Sequence, residues 1–179
     1  MYLYQLLETI PHLCLNESEE TTGDKMSSVN IKNTLQGRPK EWIQAISQFP
    51  KLLQREILAE RPNPTQEDID WIKSWQGRNK PVAKNMVDLL KNPHNLSSIS
   101  RTPENVIQKI NQKWGLQVKP GTVHDPTPGR YQQYAKNFTG DTAKPSVVVN
   151  GEIVFGVGRF IAALLRGEKQ LAIWDIVSR

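Results

Sequence analysis

The residues of this chain best suited to chemistry form a glycine turn near its end, Gly156-Val157-Gly158-Arg159. The turn follows a β-rich run and precedes the apolar residues 160–165, so it is predicted to open a helix. The first turn of a helix offers unpaired backbone N–H groups, and an arginine there adds a guanidinium that can bind two oxygens of one anion. Gly156, Gly158 and Arg159 are therefore candidate phosphate-binding residues.

A second set of polar residues could complete a site around this turn. Arg130, in a preceding segment rich in proline and glycine, is predicted to bind the same phosphate. Glu152, His124 and Asp175 are candidates to line the same cleft. In the alternative interpretation the glycines only close a tight strand-to-helix connection, and Arg159 pairs with a carboxylate such as Asp175.

The sequence gives little indication of a metal site or of a catalytic nucleophile. The histidines at positions 12, 94 and 124 are scattered, and the single Cys14 excludes a cysteine-rich zinc site and an internal disulfide. Ile161 stands where a dinucleotide-binding glycine motif needs a small residue. No P-loop and no Ser-His-Asp order is present. Whether the chain catalyses a reaction stays open, with hydrolysis or phosphotransfer on a nucleoside triphosphate as the enzymatic alternative.

The elements that must position the glycine turn are predicted from the residues on either side of it. Asn150-Gly151 stands between two β-rich runs and indicates a hairpin, because a type I′ turn needs positive φ at both central residues. Gly167 is predicted to end the helix, and residues 171–176 to form a further strand. Strand, hairpin, helix and strand together predict a compact α/β core.

The order of these features resembles the core of the ParB/sulfiredoxin-like superfamily over about residues 145–176. The matching features are a hydrophobic strand, Asn-Gly, Glu-Ile-Val, Gly-x-Gly-Arg, an Ala-Ala pair on a helix and a terminal apolar strand. In that superfamily the glycine-to-arginine turn contacts the phosphate of a nucleotide, so the resemblance implies the same role for the turn of this chain. Sulfinate reduction is not expected, since that chemistry needs a cysteine in the turn and none is present.

The middle of the chain is predicted to be helical and carries the excess of positive charge. Residues 37–119 hold 14 basic and 8 acidic side chains, a net charge of +6. Such a segment could follow nucleic-acid phosphates, or it could simply form solvated helical faces. Helix starts are predicted at Pro39, Thr65, Pro81 and Thr102-Pro103, and helix ends at Gly77, Asn92-Pro93 and Gly115.

Three segments are therefore predicted in an α+β fold. Residues 1–36 read as an N-terminal peptide and acidic linker, residues 37–118 as a helical segment, and residues 119–179 as a long loop followed by the ParB/sulfiredoxin-like α/β core. The apolar spacing within residues 1–15 suits docking on a protein partner or on a second copy. No apolar run is long enough to span a membrane, and the lack of a secretory signal, with the lone cysteine, predicts a cytoplasmic protein.

Two functions of different class follow from these observations. The first is a cytoplasmic, ParB-like phosphate-recognition protein that binds a nucleotide or a nucleic-acid backbone, DNA included, at the turn of residues 156–159. The alternative is a non-catalytic interaction or assembly protein that uses residues 1–15 to dock on a partner.

Overall fold

The computed structural model describes residues 36–77, 80–123, 127–138 and 144–179 of the chain. Within these ranges helices are combined with one mixed sheet, which confirms the predicted α+β class. In chain order the elements are α1 (Lys40–Ser47), α2 (Lys51–Glu60), α3 (Gln66–Lys73), β1 (Trp75–Gly77), β2 (Val82–Asn85), α4 (Met86–Leu90), α5 (Pro93–Ser100), α6 (Glu104–Trp114), α7 (Arg130–Asn137), β3 (Ser146–Val149), β4 (Glu152–Phe155), α8 (Val157–Arg166) and β5 (Gln170–Ser178).

The last strand, β5, organises the sheet. On one side it pairs antiparallel with both short strands from the middle of the chain, β2 along its first half and β1 along its second half. On the other side it pairs parallel with β3, and β3 pairs antiparallel with β4. Strand β4 therefore lies at one edge of the sheet.

Helices cover both faces of this sheet. Helices α1, α2 and α3 bury Trp42, Leu53 and Ile72 against one face, where they meet Trp174 of β5. Helices α4 to α8 cover the other face and pack against Ile173 of the same strand. All four residues of β3 are buried, and its valines divide between the two cores, as expected for a strand with a helical layer on each side.

Most helix boundaries in the first half of the chain follow the predicted signals. Helix α1 begins after Pro39, and α6 begins after Pro103 and ends at Gly115, which has a left-handed φ of 64°. Helix α3 has a capping box, in which the Thr65 hydroxyl accepts a hydrogen bond from the Asp68 amide and the Asp68 carboxylate accepts one from the Thr65 amide.

Two predicted boundaries in residues 66–93 are wrong. The helix expected to reach Gly77 ends at Lys73, and residues 75–77 form β1. Pro81 does not open a helix, because the next four residues form β2. The helix before Asn92-Pro93 ends at Leu90, as predicted, and Pro93 also begins α5. The reason for the two differences is the distant strand β5, whose backbone groups pair with both segments and favour the extended conformation there.

The predicted hairpin and helix at the end of the chain are confirmed. Asn150 and Gly151 have φ values of 50° and 84°, as a type I′ turn between β3 and β4 requires. Helix α8 lies between Gly156 and Gly167, both with left-handed φ. Arg130 begins α7, within the part of the chain that is predicted to be a long loop. None of the helices in the described ranges is long and apolar enough to cross a membrane.

A buried asparagine fixes the position of edge strand β4. Asn95 of α5 is fully buried, and its side-chain oxygen accepts a hydrogen bond from the Ile153 amide at 2.9 Å. Its side-chain nitrogen donates to the carbonyls of Gly151, at 3.0 Å, and of Leu89, at 2.8 Å. Asn95 thus satisfies backbone groups of the hairpin that no neighbouring strand reaches, and it holds α5 beside the edge.

Candidate anion-binding cleft

A cleft of about 670 Å³ lies along edge strand β4. Its walls come from both helical layers, because the ends of α2 and α5 and the faces of α3 and α7 meet β4 and the start of α8 there. Among the described residues, the charged side chains of its lining are Glu60, Arg61, Arg101, Arg130, Glu152 and Arg159. Its aromatic side chains are Trp71, Tyr131, Tyr134 and Phe155.

The glycine turn forms one side of the cleft, and Gly156 is needed to make it. Its φ is 79°, and its carbonyl accepts hydrogen bonds from the Arg159 amide, at 3.1 Å, and the Ser146 hydroxyl, at 3.0 Å. A Cβ at this position would lie 2.8 Å from the Ser146 hydroxyl oxygen and 2.9 Å from the Arg159 guanidinium. Both the backbone conformation and the close packing therefore require glycine here.

Two backbone amides at the start of α8 are available to a ligand. The N–H groups of Val157 and Gly158 donate no hydrogen bond to another group in the described part of the chain, and both residues line the cleft. A Cβ on Gly158 would lie 3.9 Å from Tyr134 and no closer to another group, so this position is open. Unpaired amides at the positive end of a helix dipole are suited to an anion.

Arg159 is already engaged within the protein. Its Nη2 donates to Glu56 Oε2 at 2.6 Å, and its Nη1 donates to the Pro145 carbonyl at 3.1 Å. The two side chains of the ion pair are only 11% and 14% exposed. The carboxylate partner is thus Glu56 of α2 and not Asp175. Arg159 lines the cleft but is bound to these groups, so a phosphate would have to compete with Glu56 for its guanidinium.

Arg61, which also lines the cleft, is held in a similar way. Its Nε donates to Asp68 Oδ1 at 2.9 Å, and its guanidinium carbon lies 5.2 Å from the centre of the Phe155 ring. Burial alone would raise the pKa of Asp68, but the hydrogen bonds from the Thr65 amide and hydroxyl, together with Arg61, outweigh it and lower the pKa. Asp68 is therefore a stable counter-ion for Arg61.

Arg101 and Arg130 supply positive charge at the cleft from the helices beside β4. Arg101 directly follows α5, is exposed, and forms no ion pair with another residue of the described ranges. Arg130 is the first residue of α7 and is half-buried. The planar guanidinium groups of arginines match the oxygens of a phosphate well.

Glu60 is the most unusual ionisable group of the cleft. Its carboxylate makes no hydrogen bond or ion pair with the described residues, although the side chain is half-buried. Burial and the neighbouring Glu56 carboxylate raise its pKa, and Arg159 and Arg61 offset only part of this effect. Burial also raises the pKa of the Tyr134 hydroxyl, which is protonated at neutral pH with or without this shift and can donate a hydrogen bond.

The structure brings most of the predicted site residues together. Gly156, Gly158, Arg159, Arg130 and Glu152 all line one cleft. Of the remaining candidates, Asp175 lies on β5 and is not part of the cleft lining, and His124 lies outside the described residues, as does the peptide of residues 1–15. The described ranges contain no group of three or more His, Cys, Asp or Glu side chains that could hold a metal ion.

Several cleft residues were not predicted, namely Glu60, Arg61, Trp71 and Arg101. They lie far from the turn in sequence and reach it only through the packing of α2, α3 and α5 around β4. A weak signal was present, since Glu56 and Glu60 are four residues apart and must share one face of a helix.

Comparison of the chain with protein-family models, with curated proteins and with solved structures finds no significant match.

Proposed function

We propose that this chain is a cytoplasmic phosphate-recognition protein whose cleft binds a nucleotide or a strand of nucleic acid. The observation that carries the proposal is the pair of amides of Val157 and Gly158, which donate to no other group in the described part of the chain and belong to residues that line a cleft with Arg101 and Arg130. Amides at a helix start and arginine side chains are both well suited to binding phosphate oxygens. The phosphate would bind at the start of α8.

The size and the walls of the cleft support a ligand of this class. Its volume of about 670 Å³ falls within the range of about 300–1,000 Å³ that is usual for small-molecule sites. Trp71 and Tyr134 line the cleft and are at least partly exposed, so they offer aromatic surface on which a base could stack. The resemblance of residues 145–176 to the ParB/sulfiredoxin-like core points to the same ligand class.

A charge placed at Gly158 tests the proposal directly. The backbone there tolerates a side chain, so Gly158→Glu should fold, and it brings a negative charge to the start of α8. We expect wild type to bind ATP, CTP, oligothymidylate or a DNA duplex in a salt-sensitive way. The Glu variant should bind the same ligand at least about tenfold more weakly, equivalent to about 1.4 kcal/mol.

Gly158→Gln is the matched control, because it adds the same volume without the charge. Affinity in the Gln variant should stay clearly above that of the Glu variant if the cleft binds an anion. Equal affinities in wild type and Gly158→Glu would contradict the proposal. If wild type bound none of the four ligands, the assembly function would gain weight, and deletion of residues 1–25 should then lower the mass measured by light scattering.

A further inference from the structure

Five charged side chains meet where the end of α2 faces α3 and α8: Glu56, Glu60, Arg61, Asp68 and Arg159. Two of the three carboxylates are matched by the two arginines, since Arg159 binds Glu56 at 2.6 Å and Arg61 binds Asp68 at 2.9 Å. Glu60 is the carboxylate that is left over in this cluster. It is also the one that lines the cleft.

The surroundings of Glu60 disfavour its ionised form. Glu56 lies one helical turn before it on the same face of α2, so that the two carboxylates repel each other. Burial and this repulsion raise the pKa of Glu60 above its usual range. The other charged or titratable groups near it or across the cleft are Arg61 after α2, Asp68 on α3, Arg101 after α5, Arg130, Tyr131 and Tyr134 on α7, Glu152 on β4, and Arg159 on α8.

A phosphate at the Val157 and Gly158 amides would share the cleft with this carboxylate. An ionised Glu60 would repel the phosphate, whereas a protonated Glu60 has an O–H that can donate a hydrogen bond to a phosphate oxygen. We propose that Glu60 is a ligand-binding residue of the cleft, which takes up one proton from solvent when a phosphate ligand binds and donates that proton in a hydrogen bond to it. This inference rests on the proposed function, and it involves no change of covalent bonds other than the protonation of the carboxylate.

Coupling between the protonation of Glu60 and ligand binding fixes the direction in which affinity changes with pH. Binding takes up a proton, so affinity should rise as pH falls, by at most about tenfold per pH unit, over a window that begins above the ordinary pKa of glutamate. The probe must not titrate itself. Oligothymidylate meets this condition because its phosphodiesters stay singly charged, whereas the terminal phosphate of a nucleotide has a second pKa of about 6.

The experiment measures the affinity of wild type, Glu60→Gln and Glu152→Gln for tetramethylrhodamine-labelled oligothymidylate between about pH 5.5 and about pH 8, at constant ionic strength and with EDTA. Wild type should bind more tightly as pH falls. Glu60→Gln mimics the protonated carboxyl. It should bind severalfold more tightly than wild type at the upper end of this pH range, and its affinity should not depend on pH. Glu152→Gln removes the same charge from the same cleft, so it is the matched control. Its affinity should change with pH as steeply as that of wild type.

Thermal unfolding provides a readout that needs no ligand. The folded state disfavours the ionised form of Glu60, and this lowers the free energy of unfolding. The loss is absent below the ordinary glutamate pKa of 4.5 and grows as pH rises toward the raised pKa of the folded state. Glu60→Gln should therefore unfold at a higher temperature than wild type near neutral pH and at the same temperature in acid. This measurement also confirms that the variant is folded.

Four outcomes would overturn the inference. One is a Glu60→Gln variant that keeps the wild-type pH dependence. Another is binding that needs Mg²⁺ and is lost in acid, because Glu60 would then act as an ionised cation ligand. A third is wild-type binding that is salt-sensitive, weakened by Gly158→Glu and independent of pH, which leaves the proposed function intact. If wild type binds oligothymidylate at no pH, both this inference and a nucleic-acid ligand fail.

Discussion

At the scale of single residues, the ion pair between Arg159 and Glu56 joins α8 to α2 beside the cleft. Loss of one partner leaves the other charge almost fully buried, which typically lowers the free energy of unfolding by about 3 kcal/mol. We predict that Arg159→Ala and Glu56→Ala each destabilise the protein strongly in urea denaturation, and that the double variant loses clearly less than the sum of the two. Additive losses would contradict this coupling. As a control, Lys91→Ala removes an exposed ion pair with Asp88 and should leave the unfolding midpoint unchanged.

At the scale of elements, the turn from β4 into α8 contains two glycines with different roles. Gly156 has a left-handed φ and no space for a Cβ, whereas Gly158 has helical geometry and an open side. Gly156→Ala should therefore lower the free energy of unfolding by about 1–3 kcal/mol, measured by thermal or urea denaturation. Gly158→Ala should be neutral or slightly stabilising, because alanine favours helix over glycine by up to about 1 kcal/mol. Equal effects of the two variants would show that the turn does not depend on the backbone conformation at Gly156.

At the scale of the whole molecule, β5 joins the middle and the end of the chain into one sheet. Trp174 of β5 is buried by helices α1 to α3, which lie about a hundred residues earlier in the sequence. We predict that the isolated segment of residues 119–179 does not fold, because its strands would expose this face. Circular dichroism should show no cooperative thermal transition for it, while residues 36–179 should unfold in a single transition. A cooperative transition in the short segment would mean that the end of the chain is an independent domain.

Features of the cleft that depend on neighbouring residues could be predicted from the sequence. Features that depend on residues far apart in the chain could not. Gly156, Gly158 and Arg159 were predicted as a group because they are neighbours in one turn. Strands β1 and β2 were missed because their partner β5 lies at the other end of the chain. Their sequences are short, and local propensity is a weak guide for strands whose stability comes from a distant pairing.

The sequence by itself determined the α+β class, the hairpin at Asn150-Gly151 and the limits of α8. These features depend on turn conformation and on apolar spacing, which are properties of adjacent residues. Only the tertiary structure decided the electrostatics of the cleft. Arg159 and Glu56 are 103 residues apart in the chain, and nothing local shows that they pair. Their pairing leaves Glu60 as the unmatched carboxylate, because the order of strands in the sheet determines which helix ends meet.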